Sequence, residues 1–259
     1  QYSIGLSSLY VQLGEKTYRD GVDIFPDDIY AHVANGGDLA TTAAVNLADY
    51  VRLFSDLSRK YDFVIHICIS SDFSCCYQNA SLAAAEYPNV YLVDSRNLST
   101  GHVLEAERCA REGMEPQEIV SYLQVLTEQV DASFILSRLE YMKKGGRCSS
   151  VAVLGANLLR PRPAIEVTDG KMHVCKKYRG TFEACVKAYI ADRLQGKENL
   201  NLHRVFITHS GVPEEIIETA KEAVRQYQNF EEICVTRAGC TVSSHCGPGT
   251  IGVLFLHEG

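Results

Sequence analysis

The chain predicts an α/β protein of two domains, and three observations carry that prediction. Apolar runs of strand length alternate with stretches whose apolar residues recur at helical spacing, which is the βαβα order of a parallel sheet covered by helices. Past Arg138 the texture changes: Ala164 to Val167 and Met172 to Cys175 flank Asp169-Gly170, a two-residue hairpin turn that implies a mixed sheet. The 259 residues, 46% of them hydrophobic and 22% charged, suffice for one large or two small domains. The expected architecture is therefore a first domain over 1–132, a three-layer α/β/α unit with a mainly parallel sheet. A second domain over 133–259 is α/β with a mixed sheet, and a ligand is expected between the two.

In chain order, Thr17 to Gly21 reads as a turn. Asn46 caps a helix whose Tyr50, Leu53, Phe54, Leu57 and Tyr61 share a face. Phe63 to Ile69 is a buried strand, the Ala-rich segment from Ser74 to Ala85 a helix, and Val90 to Val93 the next strand. Helices follow near Val103 to Arg111 and from Pro116, where the imino acid suits the first helical turn, and then a strand from Ser133 to Leu136. Thr181 to Leu194 is helical; strand Val205 to Thr208, a helix from Pro213 to Gln228 and strand Ile233 to Val235 form a second βαβ, closed by Ile251 to Leu256.

Composition excludes several classes. A formal net charge of −7 with no dense Lys/Arg run argues against a nucleic-acid face. Apolar runs are of strand length, so no transmembrane span is expected, no secretory core opens the chain, and the reading is a soluble cytoplasmic protein. Ten cysteines are scattered through strands and helices, which suits buried thiols. Without a CxxC pair, no structural metal is expected. The chain starts at Gln1 and reads directly into Tyr2-Ser3-Ile4, which suggests a leading segment was removed.

Four segments carry chemistry. In Ile65-His66-Ile67-Cys68-Ile69-Ser70-Ser71-Asp72-Phe73-Ser74-Cys75-Cys76 an apolar strand runs into hydroxyl and thiol residues that open a helix, where free N–H groups and the helix dipole suit a carboxylate or phosphate. The serines also serve simply as caps. Lys143-Lys144-Gly145-Gly146-Arg147 is a basic loop with two glycines, or the end of a helix whose lysines face its dipole. His245-Cys246-Gly247-Pro248-Gly249 sets one His in a rigid turn before the last strand. Thr41 and Thr42 precede the helix that Asn46 caps, and their hydroxyls can reach a bound anion.

These same segments, with Tyr18-Arg19-Asp20-Gly21-Val22-Asp23, Val93-Asp94-Ser95, Leu139-Glu140-Tyr141-Met142 and Tyr178-Arg179-Gly180, resemble the DegV family of bacterial two-domain fatty-acid binders over nearly the whole chain. The resemblance implies a DegV-like fold that binds one long-chain fatty acid (about C16–C18) in an apolar tunnel and has no cofactor. Thr42 and Ser74 would hold the carboxylate, with Cys75, Cys76 and Gly247 beside it. Arg147 and His245 would lie near the head group and serve transfer to a partner fatty acid kinase that makes the acyl phosphate. Two departures stand out: Cys75-Cys76 replaces the family's Gly-Thr, and Ala43-Ala44-Val45 replaces its Ser-Gln-Pro. The family's opening strand and Asp-Ser-Thr motif have no counterpart before Tyr2.

The energetics of that role are coherent. Burying about fourteen methylenes at roughly 0.8 kcal/mol each gives on the order of 11 kcal/mol before the cost of association. Burial of the tail supplies affinity, while a buried carboxylate must be hydrogen-bonded and so fixes position. The competing reading is an acyl hydrolase or acyltransferase with Cys75 or Cys76 as nucleophile and His245 as base, although no Asp or Asn stands beside His245 to orient it.

Overall fold

The computed structural model describes residues 4–98, 101–152 and 161–259. Strands β1 (Tyr10–Leu13) and β2 (Lys16–Arg19) are followed by helix α1 (Pro26–Ala34), β3 (Thr41–Ala43) and α2 (Leu47–Ser58). Next come β4 (Val64–Cys68), α3 (Cys76–Ala84), β5 (Val90–Asp94), α4 (Gly101–Arg111) and α5 (Pro116–Leu126). Then follow β6 (Val130–Leu136), α6 (Glu140–Gly145), α7 (Ser149–Ala152), β7 (Arg162–Thr168) and β8 (Lys171–Tyr178). The chain continues through α8 (Phe182–Leu194), β9 (Leu200–His209), α9 (Glu214–Tyr227), β10 (Glu232–Arg237), α10 (Cys240–Cys246) and β11 (Thr250–His257).

Two compact units interleave along the chain: 1–10, 43–130 and 169–171 form the first, and 11–42, 131–168 and 172–259 the second. The sequence reading used a single cut between 132 and 133, whereas β6 starts at Val130 and runs across that position. The reading of Gln1 to Ser3 lies outside the described residues.

In the first unit, β4 and β5 pair in parallel with Val64 opposite Val90 and Cys68 opposite Asp94. The Asn46 side chain accepts from the Asp49 amide at 2.9 Å and starts α2 where the sequence placed its cap. Tyr50 and Phe54 from that helix are buried with Val45, Cys68, Cys76, Ala80, Ala83 and Val90. Each buried aromatic contributes about 1.5–3 kcal/mol. Helix α5 begins at Pro116, as expected.

In the second unit a six-stranded sheet runs in the order β10-β9-β11-β6-β7-β8. Strands β9 and β10 are parallel, as the βαβ reading required, while β9–β11 and β6–β7 are antiparallel, so the sheet is mixed. Asp169 at φ 51° and Gly170 at φ 78°, which group with the first unit, make the tight hairpin turn between β7 and β8. Helices α8 and α9 supply Val186, Tyr189, Ile190, Ala220 and Val224 to a core with Val205, Ile207, Ile251 and Val253. Tyr189 is wholly inside, its hydroxyl bonded to Ser133 Oγ at 2.8 Å and accepting the Val253 amide at 3.1 Å. Arg193 of α8 pairs with Asp131, and with Glu166 at 3.2 Å. A smaller sheet, β2-β1-β3, brings in segments the sequence reading left without strands, and β2 takes up part of the turn expected at Thr17 to Gly21.

All ten cysteines are free thiols and seven are buried, which bears out the reading of them as core residues.

Candidate functional site

Four of the expected site residues, Thr42, Arg147, His245 and Gly247, lie in the second unit. His245 was expected in a turn; it sits in the last turn of α10. That helix is pinned at its start by a residue far away in sequence. Asp20 Oδ1 accepts the Cys240 amide and Oδ2 the Thr241 amide, both at 2.7 Å, so a carboxylate meets the positive helix end. At its other end, Gly247 takes φ 74°, and a Cβ there would stand 2.5 Å from the Tyr141 ring. The Ser210 hydroxyl donates to the Gly247 carbonyl, and the Gly249 amide donates to the Gly211 carbonyl at 3.0 Å, which fixes the turn.

The short strand β3 presents Thr42 to this helix. Thr42 Oγ1 lies 2.7 Å from His245 Nε2. His245 Nδ1 is buried without a hydrogen-bond partner among the described residues. Burial, and then the nearby Arg147 guanidinium, push the His245 pKa down to about 4, so the imidazole is neutral near pH 7. An orphaned donor is rarer than an orphaned acceptor. We therefore assign the proton to Nε2, which donates to Thr42 Oγ1 and leaves the threonine proton available to another acceptor.

The Lys-Lys-Gly-Gly-Arg segment is the end of a helix rather than a loop. Gly146 takes the left-handed conformation at φ 68° and its amide returns to the Met142 carbonyl. Lys144 donates to the Leu39 carbonyl at 3.0 Å, and Arg147 Nη1 reaches back to the Gly145 carbonyl at 2.7 Å. The guanidinium of Arg147 is exposed, within electrostatic reach of His245.

Ser74, Cys75 and Cys76 lie in the first unit. Helix α3 starts at Cys76, not Ser74, and Cys75 is the N-cap residue. Ser74 Oγ accepts the Cys76 amide at 3.3 Å and donates to Cys76 Sγ at 3.1 Å. Cys76 is packed in the core and Cys75 is exposed. The preceding serines are structural: buried Ser70 donates to the Gly170 carbonyl at 2.8 Å and accepts the Asp72 amide, and the Ser71 amide donates to Asp94. Ser70 is thus structural through a local turn and not as a cap of α3, while the half-buried Ser74 hydroxyl, which accepts the Cys76 amide, is the one beside the helix start.

Sequence reasoning missed Asp20, Gly145 and Tyr141 as parts of this arrangement. Asp20 lay within a segment read as a turn, and no local signal links it to amides 220 residues on. Among the described residues no three His, Cys, Asp or Glu side chains converge as metal ligands, and no helix is long and apolar enough to cross a membrane.

Comparison with known proteins gives consistent similarities. The family model described as "Uncharacterised protein, DegV family" matches residues 1–258. A DegV domain-containing protein of Caldanaerobacter subterraneus is 29% identical over 260 residues, spanning 98% of this chain and 91% of the relative. A DegV family protein from Thermus thermophilus, described by its fatty acid binding, aligns with a TM-score of 0.84 at 29% identity over 96% of this chain and 90% of its own. The Streptococcus pneumoniae fatty acid kinase B3 protein loaded with linoleic acid shares the fold, with a TM-score of 0.83 at 18% identity over 97% and 90% of the two chains.

Proposed function

The chain belongs to the DegV family, and on that premise we propose that it binds one long-chain fatty acid and presents it to a partner fatty acid kinase. The observation that carries this reading is the pair of Thr42 Oγ1 and neutral His245 Nε2 at 2.7 Å. With the imidazole N–H donating to the threonine oxygen, the threonine O–H is oriented outward as a donor suited to a carboxylate oxygen. Ser74, at the start of α3, is assigned to the head group in this reading, with Cys75 and Cys76 beside it in sequence. Gly247 holds the turn after His245. The fatty-acid-binding relative at 29% identity supports the choice of ligand.

Arg147 is assigned to presentation, as an exposed cation for the phosphates of a kinase-bound nucleotide, so that the partner carries out phosphoryl transfer. The hydrolase reading is weaker for a physical reason. A general base needs a free nitrogen and an orienting partner. His245 Nε2 is taken by Thr42, and Nδ1, which keeps the lone pair, is buried against Gly145 with no carboxylate or amide side chain among the described residues to orient it, in a ring that burial makes weakly basic.

The test is mass spectrometry of the extract from denatured protein. A stoichiometric free fatty acid is expected, and an acyl thioester on Cys75 or Cys76 would overturn the carrier reading. Thr42→Ala and Ser74→Ala should each retain less lipid in a folded protein. Arg147→Ala and His245→Ala should keep it, because neither side chain is assigned a bond to the carboxylate, yet slow acyl-phosphate formation with the kinase. Normal phosphorylation in both would remove their assigned role.

A further inference from the structure

The two glycines ahead of Arg147 do different work. Gly146 needs its positive φ of 68°, and a Cβ there would meet nothing within 4 Å. Gly145 is not in that conformation, yet a Cβ on it would lie 2.3 Å from His245 Nδ1, 3.2 Å from Cγ and 3.3 Å from Cε1. The first separation is shorter than real Cβ atoms show and the other two are tighter than nearly all such contacts, so the imidazole occupies the volume that a side chain at 145 would fill. On its far side the same ring bonds Thr42 Oγ1 at 2.7 Å. The ring is thus held between a hydroxyl and a bare Cα.

We propose that Gly145 is a positioning residue: by lacking a side chain it lets the His245 ring lie against the end of α6 and so reach Thr42. The inference deepens the reading of the Thr42–His245 pair given above and rests on it for its functional meaning. It also accounts for the orphaned nitrogen, since Nδ1 faces a methylene that offers no hydrogen bond. The groups bearing on the ring are Thr42 from β3, Gly145 from α6 and the Arg147 guanidinium, which is turned back onto the Gly145 carbonyl at 2.7 Å. One residue therefore accepts from Arg147 with its carbonyl and admits His245 at its Cα.

The experiment is an NMR titration of His245 in the full chain with labelled histidine, assigned by comparison with His245→Gln. In the natural protein the ring should remain neutral at pH 5.5. In Gly145→Ala the ring is displaced from Thr42 toward water, and its midpoint should rise by about two pH units toward about 6.5. Gly146→Ala is the matched control: it should lower the melting temperature and leave His245 neutral at pH 5.5. A folded Gly145→Ala that titrates like the natural protein, or an equal shift in Gly146→Ala, would overturn the proposal. Should Gly145→Ala fold too poorly to titrate, removing the imidazole must relieve the clash, so Gly145→Ala/His245→Ala should melt at a higher temperature than Gly145→Ala alone. Failure of that rescue would equally sink the idea. Neither readout uses lipid, so an empty natural protein would count against the fatty-acid reading without touching this one.

Discussion

Replacing Asp20 by Ala removes the side chain that caps the free amides at the start of α10. The carboxylate makes two charge-assisted bonds of 2.7 Å, to the amides of Cys240 and Thr241. Two such bonds at roughly 1.5–3 kcal/mol each set an upper figure on the order of 3–6 kcal/mol. Asp20 is only half-buried, so water recovers part of this for the freed amides. Loss of a helix cap costs about 0.5–2 kcal/mol, and the expected destabilisation of the second unit is therefore about 2 kcal/mol. That corresponds to roughly 4–8 °C in the melting temperature of its transition. Asp20→Asn keeps one acceptor and should lose about half as much. Circular dichroism melts and urea titrations of the three proteins measure this directly. An Asp20→Ala variant within about 0.5 kcal/mol of the natural protein would show that the clamp does not hold α10, and the account of how His245 is placed would have to be rebuilt.

Three further outcomes are expected. Tyr189→Phe strands the Ser133 hydroxyl and the Val253 amide in the core, so it should cost about 1–3 kcal/mol by urea denaturation with the fold retained. Arg193→Met leaves Asp131 and Glu166 without their shared cation and should cost about 3–5 kcal/mol, checked by thermal melting. The third is a pH dependence of the first unit. His66, edge-on to the Tyr50 and Phe54 rings at 5.2 and 5.3 Å, is pushed down to about 4 by burial. Between that value and the unfolded value of about 6.5 the unfolded chain binds the extra proton, so stability falls as pH drops through this window, by up to about 3 kcal/mol for this one group. His66→Phe should flatten the slope, and urea midpoints at pH 7, 6 and 5 that fall equally in both proteins would refute the assignment.

What was legible in the sequence follows from the range of the interactions involved. Asn46 caps α2 through an amide three residues away, Pro116 opens α5 through its own fixed φ, and Asp169-Gly170 turns through its own backbone, so neighbouring letters carry each of these. Thr42, Arg147 and His245 could be picked out as polar residues in small loops, but the sequence could not say that Thr42 and His245 bond to one another across 203 positions. It left open whether Lys143 to Gly146 is a loop or the end of a helix, which is what it is, and it set His245 in a turn when it belongs to a helix, because short helices such as α6 and α10 lack the length over which apolar periodicity becomes visible.

By itself, then, the sequence determined the α/β class, the paired-strand texture after Arg138, the free buried thiols and the set of residues with chemistry to offer. Only the tertiary structure decided that the two units interleave along the chain, that Asp20 clamps α10, and that His245 is neutral with its ring between Thr42 and Gly145. The physical reason is that caps, turns and periodicity are set by neighbours in the chain, whereas burial, desolvation and the fit of a ring against a bare Cα arise from residues that meet only when the chain has folded.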